Sequence, residues 1–139
     1  MEQPISEGNG AQLRAIAPYF FVADINAAVA YYRDVLGFNY ERLWGDPPSF
    51  CMVYRDGLTI MLKQIGDKSL IRPNGNVAEN WDAYVWVRDA DVLFDEFSNR
   101  KARFAYPVCY QEEYGNREFA VRDLDGYVIA FGHHVPEKK

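Results

Sequence analysis

The chain has 139 residues and a net charge of −5, with 49% hydrophobic and 25% charged residues. That length allows one ordinary domain and not two, and the acidic balance speaks against nucleic acid, whose binders carry a basic footprint. No apolar run reaches the roughly 18 residues of a membrane span, and residues 1–12 lack the basic-then-apolar order of a secretory signal.

Residues 1–13 are polar and read as a flexible arm. Residues 17–23 are apolar and β-prone. Asp24 then stands where a carboxylate can accept from the free amides of a first helical turn. Ala27, Ala28, Tyr31, Tyr32 and Leu36 recur at helical spacing, and Gly37 suits the helix end. Strand-like runs follow at about 38–44, 49–55 and 58–64, the last two joined by the hairpin signal Asp56-Gly57. A Pro- and Asn-containing linker over about 65–80 leads to the same order again. There is a strand at 82–87 and a helix capped by Asp89 with Val92, Leu93, Phe94 and Phe97. Runs near 103–110, 117–122 and 127–133 follow, with Asp125-Gly126 as a second tight turn.

The halves superpose by offset. Val22-Ala23-Asp24 matches Val87-Arg88-Asp89 at 65, while Phe50 with Phe119, Asp56-Gly57 with Asp125-Gly126, and Ile60 with Ile129 match at 69. Agreement in order and in turn position marks an internal repeat of β-α-β-β-β units. The expected fold is therefore α+β: one domain over 1–139 of two tandem βαβββ modules, about 14–64 and 81–134, forming curved, mostly antiparallel sheets.

The segments Asp24-x-x-x-Ala28-Val29-x-Tyr31-Tyr32-x-x-Val35-Leu36-Gly37-Phe38 and Asp123-x-Asp125-Gly126-Tyr127-Val128-Ile129-Ala130-Phe131 resemble the vicinal oxygen chelate superfamily of glyoxalase I, extradiol dioxygenases and bleomycin-resistance proteins. Three further stretches are similar to its bleomycin-resistance branch: residues 50–59, residues 83–87 (AYVWV) and residues 114–123 (YGNREFAVRD). The resemblance implies one metal ligand from each of four strands in the enzymes. In this chain those positions hold Ala17, Met61, Asp82 and Ala130. Thioether sulfur is a soft ligand, and Asp82 alone cannot supply the three or so protein ligands of a catalytic ion. No metal or other cofactor is expected, and catalysis loses its electrophile. His133 and His134 lie past the last ligand position and, being adjacent on a strand, point to opposite faces. Both read as structural or exposed. Cys51 reads as a small buried hydrophobe. Two cysteines in a chain large enough to fold without a bridge point to reduced thiols in a cytoplasmic protein.

Aromatic residues make up 16% of the chain, and the open choice is between a large aromatic core and a cavity for a flat ligand. The resemblance places Phe50 and Tyr114 on either side of a planar heteroaromatic ligand, with core packing as the alternative for Phe50. Tyr114 precedes Gly115 after an acidic pair and so reads as a loop residue. Trp44, Tyr84, Lys63 and Gly115 complete the ligand-binding candidates. Trp86 shares the face of Tyr84 but reads as core. Lys63 would repel a polycationic glycopeptide or pair with a carboxylate.

The leading functional expectation is a small-molecule binding protein that sequesters, without a metal, a planar aromatic ligand, and the net charge of −5 is compatible with a cationic one. The resemblance implies a homodimer with shared clefts, in which Pro18 either directs the arm onto the neighbour or merely starts an edge strand. The alternatives are a metal-dependent glyoxalase- or dioxygenase-type enzyme with atypical ligands, and a degenerate member whose pocket is filled by its own side chains.

Overall fold

The structure, a computed structural model, describes residues 10–77 and 80–136. Most of the N-terminal arm and two linker residues, 78 and 79, lie outside the described residues, as do 137–139. Each half folds as read: β1 (Tyr19–Val22), α1 (Ile25–Asp34), β2 (Asn39–Trp44), β3 (Phe50–Arg55) and β4 (Leu58–Gln64), then β5 (Ala83–Trp86), α2 (Ala90–Asn99), β6 (Arg103–Gln111), β7 (Asn116–Arg122) and β8 (Val128–His134). The strand orders are β1-β4-β3-β2 and β5-β8-β7-β6. Among the described residues, β1 with β4 and β5 with β8 run parallel and the other strand pairs antiparallel.

The local chemistry accounts for the boundaries. Asp24 accepts from the Ala27 amide at 3.1 Å, and Asp89 accepts from the amides of Asp91 and Val92 at 3.0 and 3.2 Å. Past the end of α1, Gly37 takes a φ of 72°, the left-handed region that only glycine enters without cost. Asp56 and Gly57 both have positive φ, 51° and 81°, which gives the mirror-image two-residue turn that matches strand twist.

The second turn differs from the expected one. The Asp123 amide donates to the Tyr127 carbonyl, so three residues, 124–126, lie between them rather than two. Met52 stands opposite Met61, whereas Ala120 stands opposite Ala130. With β4 and β8 aligned at an offset of 69, β3 and β7 therefore correspond at 68. The pairing of Phe50 with Phe119 slips by one residue, and one residue along a strand is the opposite face. Phe50 corresponds to Glu118, and Phe119 to Cys51.

One face of each sheet packs on the helices. Phe20, Val22, Cys51, Val53, Ile60 and Leu62 from the first sheet join Phe119, Val121, Ile129 and Phe131 from the second in one continuous core. The junction between the halves is polar as well as apolar. The Phe20 and Tyr127 rings stack at 4.2 Å, Tyr127 donates to the Phe21 carbonyl, and Arg55 meets Glu96 through two hydrogen bonds of 2.7 and 2.8 Å. Tyr32 donates to Asp123 Oδ2 at 2.7 Å, while Asp123 Oδ1 accepts from the amides of Asp125 and Tyr127.

Asp123 is 1% exposed. Burial pushes its carboxyl up to about 6, against the opposing pull of the Tyr32 and backbone hydrogen bonds. A carboxyl that holds its proton more tightly folded than unfolded stabilises the fold while protonated. Its contribution is complete below about pH 4 and is lost as pH rises through about 6, on the order of 3 kcal/mol in all. Asp123→Asn should remove that dependence. Urea melts of both proteins across this window should converge or diverge by that amount, and parallel curves would show that Asp123 is ionised throughout.

Candidate functional site

The faces turned away from the helices carry the chemistry. On the first sheet this face presents Tyr19, Phe21, Phe50, Met52, Tyr54, Met61 and Lys63, by register and alternation. Several are unusually open for apolar side chains: Tyr19 is 54% exposed, and Met52 and Tyr54 are 38% and 39%. Phe50 sits opposite Lys63, with its ring 6.4 Å from that of Tyr19. Lys63 Nζ donates to Ser49 Oγ at 3.2 Å. Trp44 pairs with Phe50 across β2 and β3, but the Arg42 guanidinium lies 3.3 Å over its ring and covers one side.

On the second sheet the open face has a floor of small residues, Ala120, Ala130 and Gly132. Its centre is Glu118, fully buried. Tyr84 and Tyr114 donate to Glu118 Oε1 at 3.1 and 2.6 Å, and Tyr106 donates to Oε2. Two of these phenols are themselves acceptors, Tyr84 from Asn116 Nδ2 at 2.8 Å and Tyr106 from Trp81 Nε1 at 2.9 Å. Among the described residues no Lys or Arg forms an ion pair with Glu118. Burial, and the Glu118 carboxylate beside them, raises the phenol of Tyr84 to about 12 and those of Tyr106 and Tyr114 further still. Gly132 leaves the room that this network needs, since a Cβ there would come within 2.1 Å of the Tyr84 hydroxyl.

The ligand-binding candidates thus divide between the sheets. Trp44, Phe50 and Lys63 stand on the first, and Tyr84, Tyr114 and Gly115 on the second. Tyr114 lies in the turn before β7, its ring 6.3 Å from Trp81 and its hydroxyl on Glu118. Gly115 has a φ of 74°, and a Cβ there would crowd the His134 ring at 3.1 Å. Trp86 is not core: it is half-buried on the open face, its ring 4.9 Å from Tyr84. Glu118, Tyr106, Trp81 and Asn116 were not among the candidates. The available signal was the alternation along 114–122, which sets an acid on the face opposite Phe119.

At the implied metal positions, Met61 lies opposite Tyr19 and Ala130 opposite Tyr84. Asp82 accepts from the Asn74 amide through Oδ1 and from the Val128 amide through Oδ2, both at 2.8 Å, so both oxygens already hold backbone. His133 Nδ1 accepts from the Ala90 amide and so caps α2, while His134 is exposed on the other face. Cys51 and Cys109 are unbridged. Burial raises the Cys51 thiol to about 11, which keeps it from acting as a nucleophile.

Paired βαβββ units with aromatic open faces define the class, and comparison with known proteins assigns the family. The family model described as "Glyoxalase superfamily protein" matches residues 7–137, and the chain belongs to that superfamily. A search of curated proteins finds no match. Among solved structures, the chain is 25% identical to the bleomycin-binding protein of bleomycin-producing Streptomyces verticillus, solved with copper(II)-bleomycin. That match covers 91% of this chain and 99% of the other, with a TM-score of 0.67. TioX from Micromonospora sp. ML1 is 22% identical over 87% of this chain and 98% of its own, at 0.68. TnmS3, an antibiotic-binding protein from Streptomyces sp. CB03234, is 15% identical over 93% and 100%, at 0.64. No helix among the described residues is long and apolar enough to cross a membrane.

Proposed function

We propose that this chain is a metal-independent binding protein that sequesters a planar aromatic small molecule in the cytoplasm. It works as a homodimer, each cleft lying between the first sheet of one chain and the second sheet of its twin. The observation that carries this reading is the pair of open aromatic faces. An apolar sheet face as exposed as Tyr19, Met52 and Tyr54 leave it is a surface that seeks a partner, and two-fold pairing is the commonest way to supply one. Phe50 and Tyr114, on different sheets of one chain, would then meet across the cleft. Binding of bleomycin by a 25%-identical relative of the same fold supports a ligand of this kind. Metal independence is supported by the donor set: Ala17, Met61 and Ala130 offer no hard donor, and Asp82 is engaged by two amides. The net charge favours a cationic ligand in general, but the cations beside the aromatic walls, Arg42, Lys63 and Arg122, favour a different charge there.

Light scattering at micromolar concentration tests the dimer, and a mass near 16.0 kDa rather than twice that would overturn the shared cleft. Calorimetric titration with metal-free bleomycin and with a neutral anthraquinone tests the ligand class. Saturable binding of either is the expected result, and no heat from either at high micromolar concentration would overturn sequestration. Elemental analysis finding about one bound transition metal per chain would overturn metal independence.

A further inference from the structure

A cavity of about 410 Å³ lies along β6, walled by Trp81, Tyr106 and Pro107, with Gln111 and Arg122 among its polar groups. Its volume is that of a small-ligand pocket, and one chain builds it alone. The linker closes one side: a Cβ on Gly75 would come within 2.7 Å of Val128 and 3.2 Å of the Arg122 guanidinium. Its aromatic walls are held in place. Trp81 Nε1 is fixed on the Tyr106 hydroxyl, which is fixed in turn on Glu118. A wall that is already ordered loses little entropy when a flat ring packs against it.

The charge that faces this cavity is positive. Glu118 is fully buried behind three phenols, so although its charge acts on Cys109 in the wall, it offers an entering ligand no open acceptor. The Arg122 guanidinium is half-buried and, among the described residues, has neither a hydrogen-bond acceptor nor an ion pair. Its neighbour across the strands is another arginine, Arg103, whose guanidinium donates to the Asp123 carbonyl and, among the described residues, pairs with no carboxylate. Like charges directly opposite on adjacent strands repel, and the half-buried Arg122 has given up part of its hydration without gaining an acceptor. An anion placed between aromatic walls and this fork relieves both.

We propose that this cavity takes the acid group of a planar aromatic carboxylate, with the ring against Trp81 and Tyr106 and the carboxylate paired with Arg122. The proposal rests on the reading of the chain as a binder of planar aromatics and names the charge of that ligand. Arginine matches a carboxylate with two parallel hydrogen bonds, so the preference is for the ion and not merely for the ring.

Naphthoate, its neutral amide and naphthylmethylammonium share a ring and differ in charge, and titration of the wild-type protein with all three needs no variant. Naphthoate should bind about tenfold or more tightly than the amide, with the ammonium weakest and the preference shrinking as salt rises. Arg122→Gln should erase the preference while leaving amide binding in place, and Arg122→Lys should keep part of it. Affinities of the three probes within about twofold of one another, absence of binding by all three, or a carboxylate preference that survives Arg122→Gln would each overturn the proposal. Because the cavity belongs to one chain, a monomeric mass or an inert Phe50→Ala would sink the shared cleft and leave a naphthoate preference standing. Bleomycin binding with no naphthoate binding would do the reverse.

Discussion

Glu118→Ala is expected to lower the melting temperature by about 10–20 °C, corresponding to a loss of about 3–5 kcal/mol in a domain of this size. The carboxylate is the acceptor for three phenols at once, two on Oε1 and one on Oε2. Each phenol has one proton, and all three protons point at Glu118. Removing the carboxylate takes away the acceptor that Tyr84, Tyr106 and Tyr114 share, and each hydrogen bond lost in this half-buried setting costs about 1–3 kcal/mol less whatever entering water restores. A buried carboxylate with no cationic partner among the described residues is itself expensive even when hydrogen-bonded, so part of this loss is offset by discharging the site. Glu118→Gln separates the two effects. It keeps the shape and removes the charge, but turns an amide N–H toward a phenol that already donates. It should fall between wild type and Glu118→Ala. It should also bring the tyrosine titration down toward the ordinary range, because the carboxylate contributes to the upward shifts of Tyr84, Tyr106 and Tyr114. Thermal melts followed by circular dichroism, with tyrosinate absorbance against pH, read both effects. A melting temperature for Glu118→Ala within a degree or two of wild type would mean that the phenols find other acceptors at no cost.

The parts of this fold that were legible in the sequence are those determined within a few residues. Asp24 and Asp89 cap helices because a short carboxylate reaches the amides two or three positions on. Asp56-Gly57 turns the chain because both residues tolerate positive φ. What escaped depends on counts and partners across the chain. One extra residue in the turn at 124–126 moves β7 by one position against β3, and no local feature of Asp125-Gly126 announces it. Irregularities in β6 on both sides of Tyr106 carry its ring to the open face, where simple alternation is no guide. Asp82 sits at a ligand position by sequence, yet backbone amides from Asn74 and Val128 converge on it. Of the candidate site, the aromatic residues were visible individually. Glu118 was hidden because a lone acid inside an apolar strand has no local signature of the three hydroxyls that come to it from 84, 106 and 114.

Phe119→Ala and Phe50→Ala should part company, although a constant offset of 69 makes them equivalents. Phe119 is fully buried, its ring stacked 5.3 Å from Phe131 and in edge contact with Phe94, Phe97 and Phe104. Truncating it removes the centre of an aromatic cluster, at about 3–5 kcal/mol. Phe50 is half-buried on the opposite face, between Trp44 and Lys63 on the neighbouring strands and with the tilted Tyr19 ring 6.4 Å away. Its truncation exposes little that was dry, and a stability loss of about 1 kcal/mol or less is expected. If the cleft reading is right, the effect appears instead in binding. Phe50→Ala should weaken the ligand by about 1–3 kcal/mol, the range of a contact residue at the centre of an interface, while Phe119→Ala changes affinity only as far as it unfolds the protein. Urea melts and calorimetric titrations on the same two variants give the four numbers required. Equal losses of stability would return Phe50 to the core and take one wall from the cleft. A Phe50→Ala variant that melts and binds like wild type would leave the face exposed for dimerisation alone, with the ligand held by the second sheet.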